Sequence, residues 1–504
     1  MEAFLHPLQG LAEFEGIKKR CGANCGILNV SGCMESQKVH LMYGLSGLFP
    51  YHLILADDER NAKEIYEDYR FYDKNVYFYP AKDLLFFQAD IHGNLLIRQR
   101  MRVIRALLEQ EEVTVVTSID GCMDFLMPLE KIRSRLLHFK SDSVIDLDQL
   151  KEELVELGYE RTGQVELPGQ FSVRGGIIDI YPLTEDNPWR IELWDDEVDS
   201  IRSFDAESQR SLENVDEITI YPAAEKMDGE DMVSFLEYFP EEKTLVFLDE
   251  LNHLAENGEG VEEEYRQSRM HREEKGEANL PEQWLCGFQE LQKKLNRRNC
   301  VAVSALSPRR SGWKINEEFD LTVKSVDSYN SSFELLVKDL LQYKSQGYRI
   351  ALLSGSRTRA ERLAKDLSEE GLNAFYSQDM DRIISPGEIM VVYGHARRGF
   401  QYPLIKFAVM TETDIFGKEQ KKRKKKKKYS GNRIQDFAEL SIGDLVVHEK
   451  HGLGIYRGIE KVEVDRVVKD YIKIEYRGGS NLYILATQLD ALQKYSGSSE
   501  NAKT

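Results

Sequence analysis

A run of eight consecutive basic residues, KKRKKKKK at 421–428, most constrains how this chain can fold. The run has no apolar face to bury, so it stays in solvent and divides the chain into two separately folding parts. Its composition fits a flexible tether, or a tether that also touches nucleic-acid phosphates non-specifically. The chain as a whole is acidic, with 86 acidic against 67 basic residues. Its general electrostatic field therefore does not draw it onto DNA.

The part before the basic run alternates short apolar strands with amphipathic helices. HLILA at 52–56 is typical of a buried strand, and DERNAKEIYEDYRFY at 58–72 is typical of a helix. In SRTRAERLAKDLSEEG at 356–371, Ser356 is a suitable N-cap and Gly371 a suitable helix stop. This alternation predicts parallel sheets covered by helices, which is the α/β class.

Two stretches depart from this alternation. Between about 131 and 222, strand patterns follow one another without intervening helices, which predicts a mostly-β module inserted into the α/β part. Residues 440–495 have short strand patterns with glycine turns, which predicts a small SH3-like or Tudor-like all-β barrel. This stretch has eight acidic and eight basic residues. A neutral barrel is better suited to binding a protein than to binding phosphate.

Several classes of protein are excluded by simple counts. No apolar run of about 18 residues occurs, and residues 1–20 lack the apolar stretch of a signal peptide. We therefore expect a cytoplasmic protein without a membrane partner. Cys21, Cys25 and Cys33 lie close together in the sequence, but their spacing lacks a C-x2-C pair and a fourth ligand. Reduced thiols without a metal are expected there, with a zinc site as the alternative.

A nucleotide site is predicted to be degenerate. Phosphate-binding loops need glycines, a lysine and a Ser or Thr in the pattern G-x4-G-K-[ST], which occurs nowhere in the chain. The nearest candidate is the loop around Gly44, Ser46 and Gly47. TLVFLDE at 244–250 resembles the acidic strand end that holds magnesium in nucleotide hydrolases. Without the lysine we interpret these features as an inactive ATPase fold, and an unorthodox nucleotide site is the alternative.

Arginines and aromatic residues share the strands of the inserted module. Arg174, Arg190 and Arg202 lie near Phe171, Trp189 and Trp194 in an otherwise acidic stretch. Arginine and tryptophan are enriched in the hot spots of protein interfaces, so an interface is one interpretation. The other is that neighbouring carboxylates such as Glu192, Asp195 or Asp196 satisfy the arginines while the aromatic residues fill the core.

Three segments carry a resemblance to a known family. LGYERTGQVELPGQFSVRGGIIDIYP followed by PWRIELWDDEVDSIRSFDAESQR resembles the UvrB-homologous module of bacterial transcription-repair coupling factors. GFQYPLIKFAVMTETDIFGKEQKKRKKKKK resembles the segment and basic linker that follow it, and 440–497 resembles the RNA-polymerase-interacting domain related to CarD. The resemblance extends over nearly the whole chain and is weakest between about 225 and 320.

The resemblance implies a multidomain architecture with a UvrB-like, degenerate P-loop α/β domain. The implied domains are 1–130 and 223–325 for the two parts of the UvrB-like domain, 131–222 for the inserted UvrA-binding module, 326–416 for a small α/β domain, 417–436 for the linker, 437–497 for the CarD-like barrel and 498–504 for a tail.

The resemblance also implies partners. Arg174, Arg190 and Trp194 match positions that contact UvrA in the family, although the family often has Phe where this chain has Trp194. The barrel is expected to bind the RNA polymerase β subunit. Ile459 and Val462 alternate with charged residues and form either the apolar side of a binding edge or part of the barrel core.

Two classes of function remain at this stage. The first is a monomeric adaptor for transcription-coupled repair that holds stalled RNA polymerase and recruits UvrA. The second is a UvrB-like or helicase-type ATP-dependent DNA enzyme. The family's ATP-driven motor is expected to follow the barrel, whereas this sequence stops at SGSSENAKT. We therefore expect no catalytic residue and no cofactor in this chain, ATP and magnesium only in the motor, and DNA contact that is weak or made through the motor.

Overall fold

The computed structural model shows two compact units. Unit one comprises Met1–Lys82 with Asn94–Glu419, and unit two comprises Asp83–Gly93 with Gln420–Thr504. The described residues are 1–21, 25–82, 94–224, 232–274, 285–308, 312–417, 431–433, 440–448, 452–464, 467–475, 481–485 and 492–495.

The helices and strands follow in chain order. The first α/β part contains α1 (Glu2–Leu8), α2 (Ala12–Cys21), β1 (Ile27–Ser31), α3 (Glu35–Ser46), β2 (Tyr51–Ala56), α4 (Glu59–Tyr72), β3 (Val76–Tyr79), α5 (Asn94–Glu109), β4 (Val113–Ser118), α6 (Ile119–Met123), β5 (Phe125–Leu126) and α7 (Leu129–Ser134). The inserted module contains β6 (Leu137–Lys140), α8 (Leu147–Glu156), β7 (Glu160–Arg161), β8 (Gln170–Arg174), β9 (Ile177–Ile180), β10 (Trp189–Trp194), β11 (Glu197–Phe204), β12 (Ser211–Val215) and β13 (Glu217–Ile220).

The remaining elements complete both units. The second α/β part contains β14 (Val233–Ser234), β15 (Thr244–Asp249), α9 (Leu251–Glu274), α10 (Phe288–Leu295), β16 (Cys300–Val303) and β17 (Ile315–Asp320). The small α/β part contains β18 (Lys324–Ser325), α11 (Phe333–Ser345), β19 (Arg349–Ser354), α12 (Arg357–Glu369), β20 (Asn373–Tyr376), β21 (Glu388–Tyr393), β22 (Phe400–Tyr402), β23 (Phe407–Thr411) and α13 (Glu412–Phe416). Unit two contains β24 (Gly431–Arg433), β25 (Leu445–His448), β26 (Gly452–Val464), β27 (Val467–Glu475), β28 (Asn481–Leu485) and β29 (Leu492–Tyr495).

The largest sheet has seven parallel strands in the order β17-β1-β16-β15-β2-β4-β3. Its central strands β15 and β2 are buried along nearly their whole length, because each is an apolar run covered on both faces. The chain crosses between β1 and β2 with β16 and β15 between them. The loops that follow β1, β2 and β15 therefore meet at the carboxyl edge of the sheet, where α/β folds bind ligands.

The inserted module is a six-stranded sheet in the order β12-β11-β10-β9-β8-β7, with antiparallel pairs except β7–β8. Helix α8 packs its buried Leu150 and Leu154 into the apolar core of the module. The Asp146 side chain caps this helix by accepting from two backbone N–H groups. The expectation that this stretch has no helix is therefore wrong, since short leucine spacing and an Asp cap produce one.

The small α/β part has a second mixed sheet in the order β18-β22-β23-β19-β21-β20. The predicted cap is confirmed, since the Ser356 side chain accepts from the Arg359 N–H at 3.2 Å. One core cluster contains residues of both this sheet and the first α/β part, such as Phe407 and Val39. Across the same boundary, a buried His40 ring nitrogen lies 3.0 Å from the Tyr402 hydroxyl.

The described strands of unit two form an antiparallel sheet in the order β24-β29-β25-β26-β27-β28. Val446, Ile472 and Ile474 are among its buried side chains. Closure of this sheet into a barrel stays a prediction, and the basic run at 421–428 lies outside the described residues.

The predicted α/β class is confirmed for unit one. Within the described part of the chain, no helix has the length and apolar character needed to cross a membrane.

Candidate interface and a closed sheet edge

The inserted sheet has one apolar and one polar face, because its strands alternate. Ile178, Ile191 and Leu193 face the core of the module. Residues on the opposite face lie in register: Asp179 pairs with Arg190 across β9 and β10, and Arg190 pairs with Arg202 across β10 and β11. The two-residue spacing of β10 thus places Arg190, Glu192 and Trp194 on one face, as the sequence predicts. We call this side, with Arg174 on β8, the arginine face.

A buried carboxylate organises the arginine face. The Asp179 side chain is only 1% exposed and binds both predicted interface arginines. Its Oδ1 accepts from Arg190 Nε at 2.6 Å, and its Oδ2 accepts from Arg190 Nη2 at 2.9 Å and from Arg174 Nη2 at 2.6 Å. Three hydrogen bonds between charged groups compensate the desolvation of this carboxylate. One negative charge faces two positive charges, so the cluster is cationic overall.

The two arginines differ in exposure. The Arg190 side chain is 13% exposed and the Arg174 side chain 46%. Arg190 Nη2 also donates to Gln209 Oε1 at 2.9 Å, and its guanidinium lies 4.2 Å from the centre of the Phe204 ring. Arg190 is thus held from several sides, whereas Arg174 projects into solvent.

The acidic residues that the sequence suggested as partners behave differently. Arg202 Nη1 donates to Glu192 Oε2 at 2.8 Å, and this hydrogen bond lowers the pKa of Glu192. Asp195 lies in the exposed turn after β10 with a φ of +59°. Asp179, eleven residues before Arg190, is the partner that sequence reasoning missed. Its position in the apolar stretch IIDI was the available signal, because a lone carboxylate there requires a cation.

Trp194 lies on the surface at the end of β10, on the same face as Arg190. Its side chain is 80% exposed, while the neighbouring Leu193 packs against the module core. The alternative that Trp194 fills the core is therefore wrong. A large exposed aromatic on the same sheet face as an exposed arginine is typical of a protein-binding surface.

The carboxyl edge of the seven-stranded sheet holds a second charged cluster. Lys38 Nζ, on the first turns of α3, contacts Asp249 Oδ1 and Glu250 Oε1, both at 2.6 Å. The exposed fractions are 11% for the Lys38 side chain and 3% for Asp249. Burial lowers the pKa of Lys38, but the two carboxylates outweigh it and raise the pKa above its ordinary value. Burial also raises the pKa of Asp249, which Lys38 and Asn61 only partly offset.

Neighbouring loops complete this cluster. Asn61 Nδ2 donates to Asp249 Oδ2 at 2.7 Å and to Asp57 Oδ1 at 2.8 Å. Glu250 Oε1 also accepts from the Ala305 N–H at 2.8 Å. Hydrogen bonds of Lys38 and Asn61 therefore connect α3 and α4 to the end of β15, and Glu250 connects it to the residue after β16. We call this cluster the closed edge.

The predicted position of a phosphate-binding loop is wrong. Gly44 and Ser46 lie inside α3 and Gly47 is its C-cap, whereas such a loop must precede a helix. Ser46 and Gly47 line a cavity of about 460 Å³ that also includes Asp73 and Glu112. The negative end of the helix and these carboxylates disfavour phosphate there.

The strand-to-helix turn lies earlier, between β1 and α3. Gly32 makes this turn with a φ of +78°, and a Cβ there would lie 2.0 Å from the Leu321 carbonyl oxygen. From Gly32 the sequence has the spacing G-x4-Q-K-V, with Gln37 and Val39 where phosphate-binding loops have Gly and Ser or Thr. A search for the intact motif misses this position, but a strand followed by glycine and a lysine six residues later could have found it.

The predicted polymerase-binding residues lie on β26. Ile459 is 44% exposed and pairs with Ile472 of β27. Val462 pairs with Lys469 along the backbone, and its side chain lies outside the described residues. Among the described pairings, β25 contacts only Gly452–Ile455 of β26. The other edge of β26 therefore has no partner strand from Ile459 to Val464 in the described part of unit two.

The cysteines do not form a metal site in the part of the chain that the structure describes. Cys21, Cys25 and Cys33 are all free and buried. No three His, Cys, Asp or Glu side chains are grouped as metal ligands among the described residues.

Two families match segments of the chain. Residues 137–225 match the UvrB interaction domain, which includes the whole arginine face. Residues 440–496 match the CarD-like/TRCF RID domain, which includes Ile459 and Val462.

Longer relatives match nearly all of it. The transcription-repair-coupling factor of Bacillus subtilis strain 168 is 30% identical over 93% of this chain and 46% of its own length. The resemblance to transcription-repair coupling factors is confirmed. The coupling factors of Staphylococcus aureus strain USA300 and Staphylococcus epidermidis are each 27% identical, over 85% and 89% of this chain. The chain thus spans about half the length of the coupling factors it matches, 41–46%.

Proposed function

We propose that this chain is the adaptor region of a transcription-coupled repair factor. In this proposal unit two binds stalled RNA polymerase and the inserted module recruits UvrA. The observation that carries the proposal is the arginine face: Arg174 and Trp194 are both exposed on one sheet face, within the segment that matches the UvrB interaction domain.

The chemistry of the arginine face supports a protein partner that bears carboxylates. The planar guanidinium of Arg174 has donors suited to a carboxylate, and the Trp194 ring offers a large apolar surface. The surrounding stretch is acidic, so the cationic cluster is a local feature. We therefore assign a role in UvrA binding to Arg174, Arg190 and Trp194 together.

The backbone of unit two supports the proposed binding to RNA polymerase. The edge of β26 from Ile459 to Val464, without a partner among the described strands, suits strand addition by the β subunit. The exposed Ile459 would supply an apolar contact, and Val462 lies three residues further along this edge. The equal numbers of acids and bases at 440–495 fit main-chain pairing better than ionic attraction.

The closed edge favours the adaptor over an ATP-dependent enzyme. A phosphate-loop lysine must contact β- and γ-phosphates, whereas Lys38 donates to Asp249 and Glu250. These acids would otherwise be the groups to hold magnesium. We therefore propose that this region needs no nucleotide, and that ATP and magnesium serve a motor found elsewhere in the full protein.

A bridging assay tests the proposal. Immobilised RNA polymerase should retain UvrA only when this chain is present. Arg174→Ala should weaken UvrA capture at least tenfold while the chain itself stays bound. Val462→Arg should abolish retention of the chain without changing its circular dichroism spectrum.

The outcomes test polymerase binding and UvrA recruitment separately. A spectrum that loses its β signal in Val462→Arg would show that Val462 belongs to the core. Retention of UvrA by polymerase through the Arg174→Ala chain at wild-type levels would remove the recruitment role from the arginine face. DNA-stimulated ATP hydrolysis by this chain would favour the enzyme alternative.

A further inference from the structure

We propose that Asp179 is a positioning residue for partner binding, which acts by holding Arg174 in its binding conformation. The inference rests on the proposed recruitment of UvrA by the arginine face. It divides that face into residues that touch the partner, Arg174 and Trp194, and residues that act through Arg174, namely Asp179 and Arg190.

Burial supports this division. Asp179 is 1% exposed, so its carboxylate is beneath the surface that a partner meets. Arg190 is 13% exposed, and its Nε and Nη2 groups already donate to Asp179 and Gln209. Arg174 is 46% exposed and combines a fixed contact with an accessible guanidinium.

Successive hydrogen bonds link Gln209, Arg190 and Asp179 and end at Arg174. Gln209 Nε2 donates to the Ala206 carbonyl at 2.8 Å, and Gln209 Oε1 accepts from Arg190. Arg190 then holds both oxygens of Asp179, and Asp179 Oδ2 accepts from Arg174 Nη2. The orientation of Arg174 therefore depends on residues that a partner does not reach.

Fixing a long side chain before binding raises affinity. A free arginine loses rotamer freedom when it binds a partner, and that loss weakens the complex. Asp179 already restricts the rotamers of Arg174 in the unbound protein. Removing the contact should therefore weaken binding about tenfold, even though it makes the surface more positive.

The test is a double-mutant cycle with purified UvrA, measured by titration. Asp179→Asn keeps the shape of the side chain and removes its charge, and it should weaken UvrA binding about tenfold. In the Arg174→Ala background, Asp179→Asn should cause no further loss. A purely structural role would lower affinity by the same factor in both backgrounds, which would overturn the inference.

A second variant avoids leaving the two arginines without their carboxylate. Arg190→Lys keeps the positive charge beside Asp179 but loses the two-pronged contact, so it should weaken UvrA binding several-fold. It too should have no effect in the Arg174→Ala background. Wild-type or tighter UvrA binding by both Asp179→Asn and Arg190→Lys would contradict the positioning role.

Asp68→Asn is the matched control. Asp68 is another carboxylate that is 1% exposed, and its Oδ2 accepts from Arg397 Nε at 2.9 Å, outside the inserted module. Asp68→Asn should lower the melting temperature without changing UvrA affinity. If Arg174→Ala binds UvrA normally, the proposed recruitment itself fails. If Arg174→Ala weakens binding but neither Asp179→Asn nor Arg190→Lys does, only the present inference fails.

Discussion

The closed edge and the arginine face each have a buried aspartate paired with basic side chains, and they differ in where the positive charge lies. Lys38 is 11% exposed above Asp249, so the charges of the closed edge are satisfied internally. On the arginine face, Asp179 is buried but Arg174 is 46% exposed. The same kind of ion pair therefore closes one surface and presents a cation at the other.

The difference follows from the number of cations for each carboxylate. At the closed edge, one lysine faces Asp249 and Glu250. Asp249 Oδ2 accepts from Asn61, and Glu250 Oε1 accepts from the Ala305 N–H as well as from Lys38. On the arginine face, two arginines share one aspartate, so one positive charge remains for a partner. This comparison predicts that substitutions at the closed edge change stability, and that those at the arginine face change binding.

The largest effect is expected for Lys38→Met. Removing the lysine leaves Asp249 buried without its cation, which should cost about 3–5 kcal/mol of unfolding free energy. Urea denaturation measures this loss, and UvrA binding by the folded protein should be unchanged. Asp249→Asn added to Lys38→Met should recover part of the stability.

Lys151→Met is the control for this change. Lys151 pairs with Asp148 on the surface of α8, so its loss should change stability little. Equal denaturation midpoints for Lys38→Met and Lys151→Met would show that the closed edge does not stabilise the fold.

Arg190→Ala should have an effect of intermediate size, and it should lower both the stability and the affinity for UvrA. It removes two of the three hydrogen bonds to buried Asp179, which should cost about 1–3 kcal/mol of stability. It should also weaken UvrA binding at least tenfold. Thermal unfolding and titration with UvrA measure the two effects, and a change in neither would contradict the assigned role of Arg190.

Arg174→Ala and Trp194→Ala should each change binding alone. Both side chains are well exposed, so the melting temperature should stay near that of the wild type. UvrA affinity should fall at least tenfold, or about 1.4 kcal/mol. Polymerase capture by unit two should not change. A stability loss as large as that of Arg190→Ala would mean that these side chains support the fold instead.

The smallest effect is expected when nucleotide is added to the protein. Because Lys38 donates to two carboxylates, ATP with magnesium should neither raise the melting temperature nor be hydrolysed by this chain. Differential scanning fluorimetry and a phosphate-release assay are sufficient tests. A clear upward shift with ATP would show that Lys38 exchanges its partners and that the edge opens.

Local structure was largely predictable from the sequence. The alternation of strands and helices, the Ser356 cap and the two-residue spacing from Arg190 to Trp194 all depend on neighbours in the chain. Helix α8 is harder to predict, because the glycines and prolines that follow it indicate strands and turns. The intact phosphate-loop motif does not identify the turn at Gly32, because Gln37 and Val39 stand at two of its positions.

The amino-acid sequence by itself determined the α/β class, the polar and apolar faces of β10 and the resemblance to coupling factors, since these are local periodicities or linear motifs. Only the tertiary structure decided which charges meet. Lys38 and Asp249 are 211 residues apart and come together because β1 and β15 end at the same sheet edge. Asp179 and Arg190 meet because β9 and β10 pair in one particular register. Ion pairs depend on distance in space, and spacing along the chain does not specify that distance.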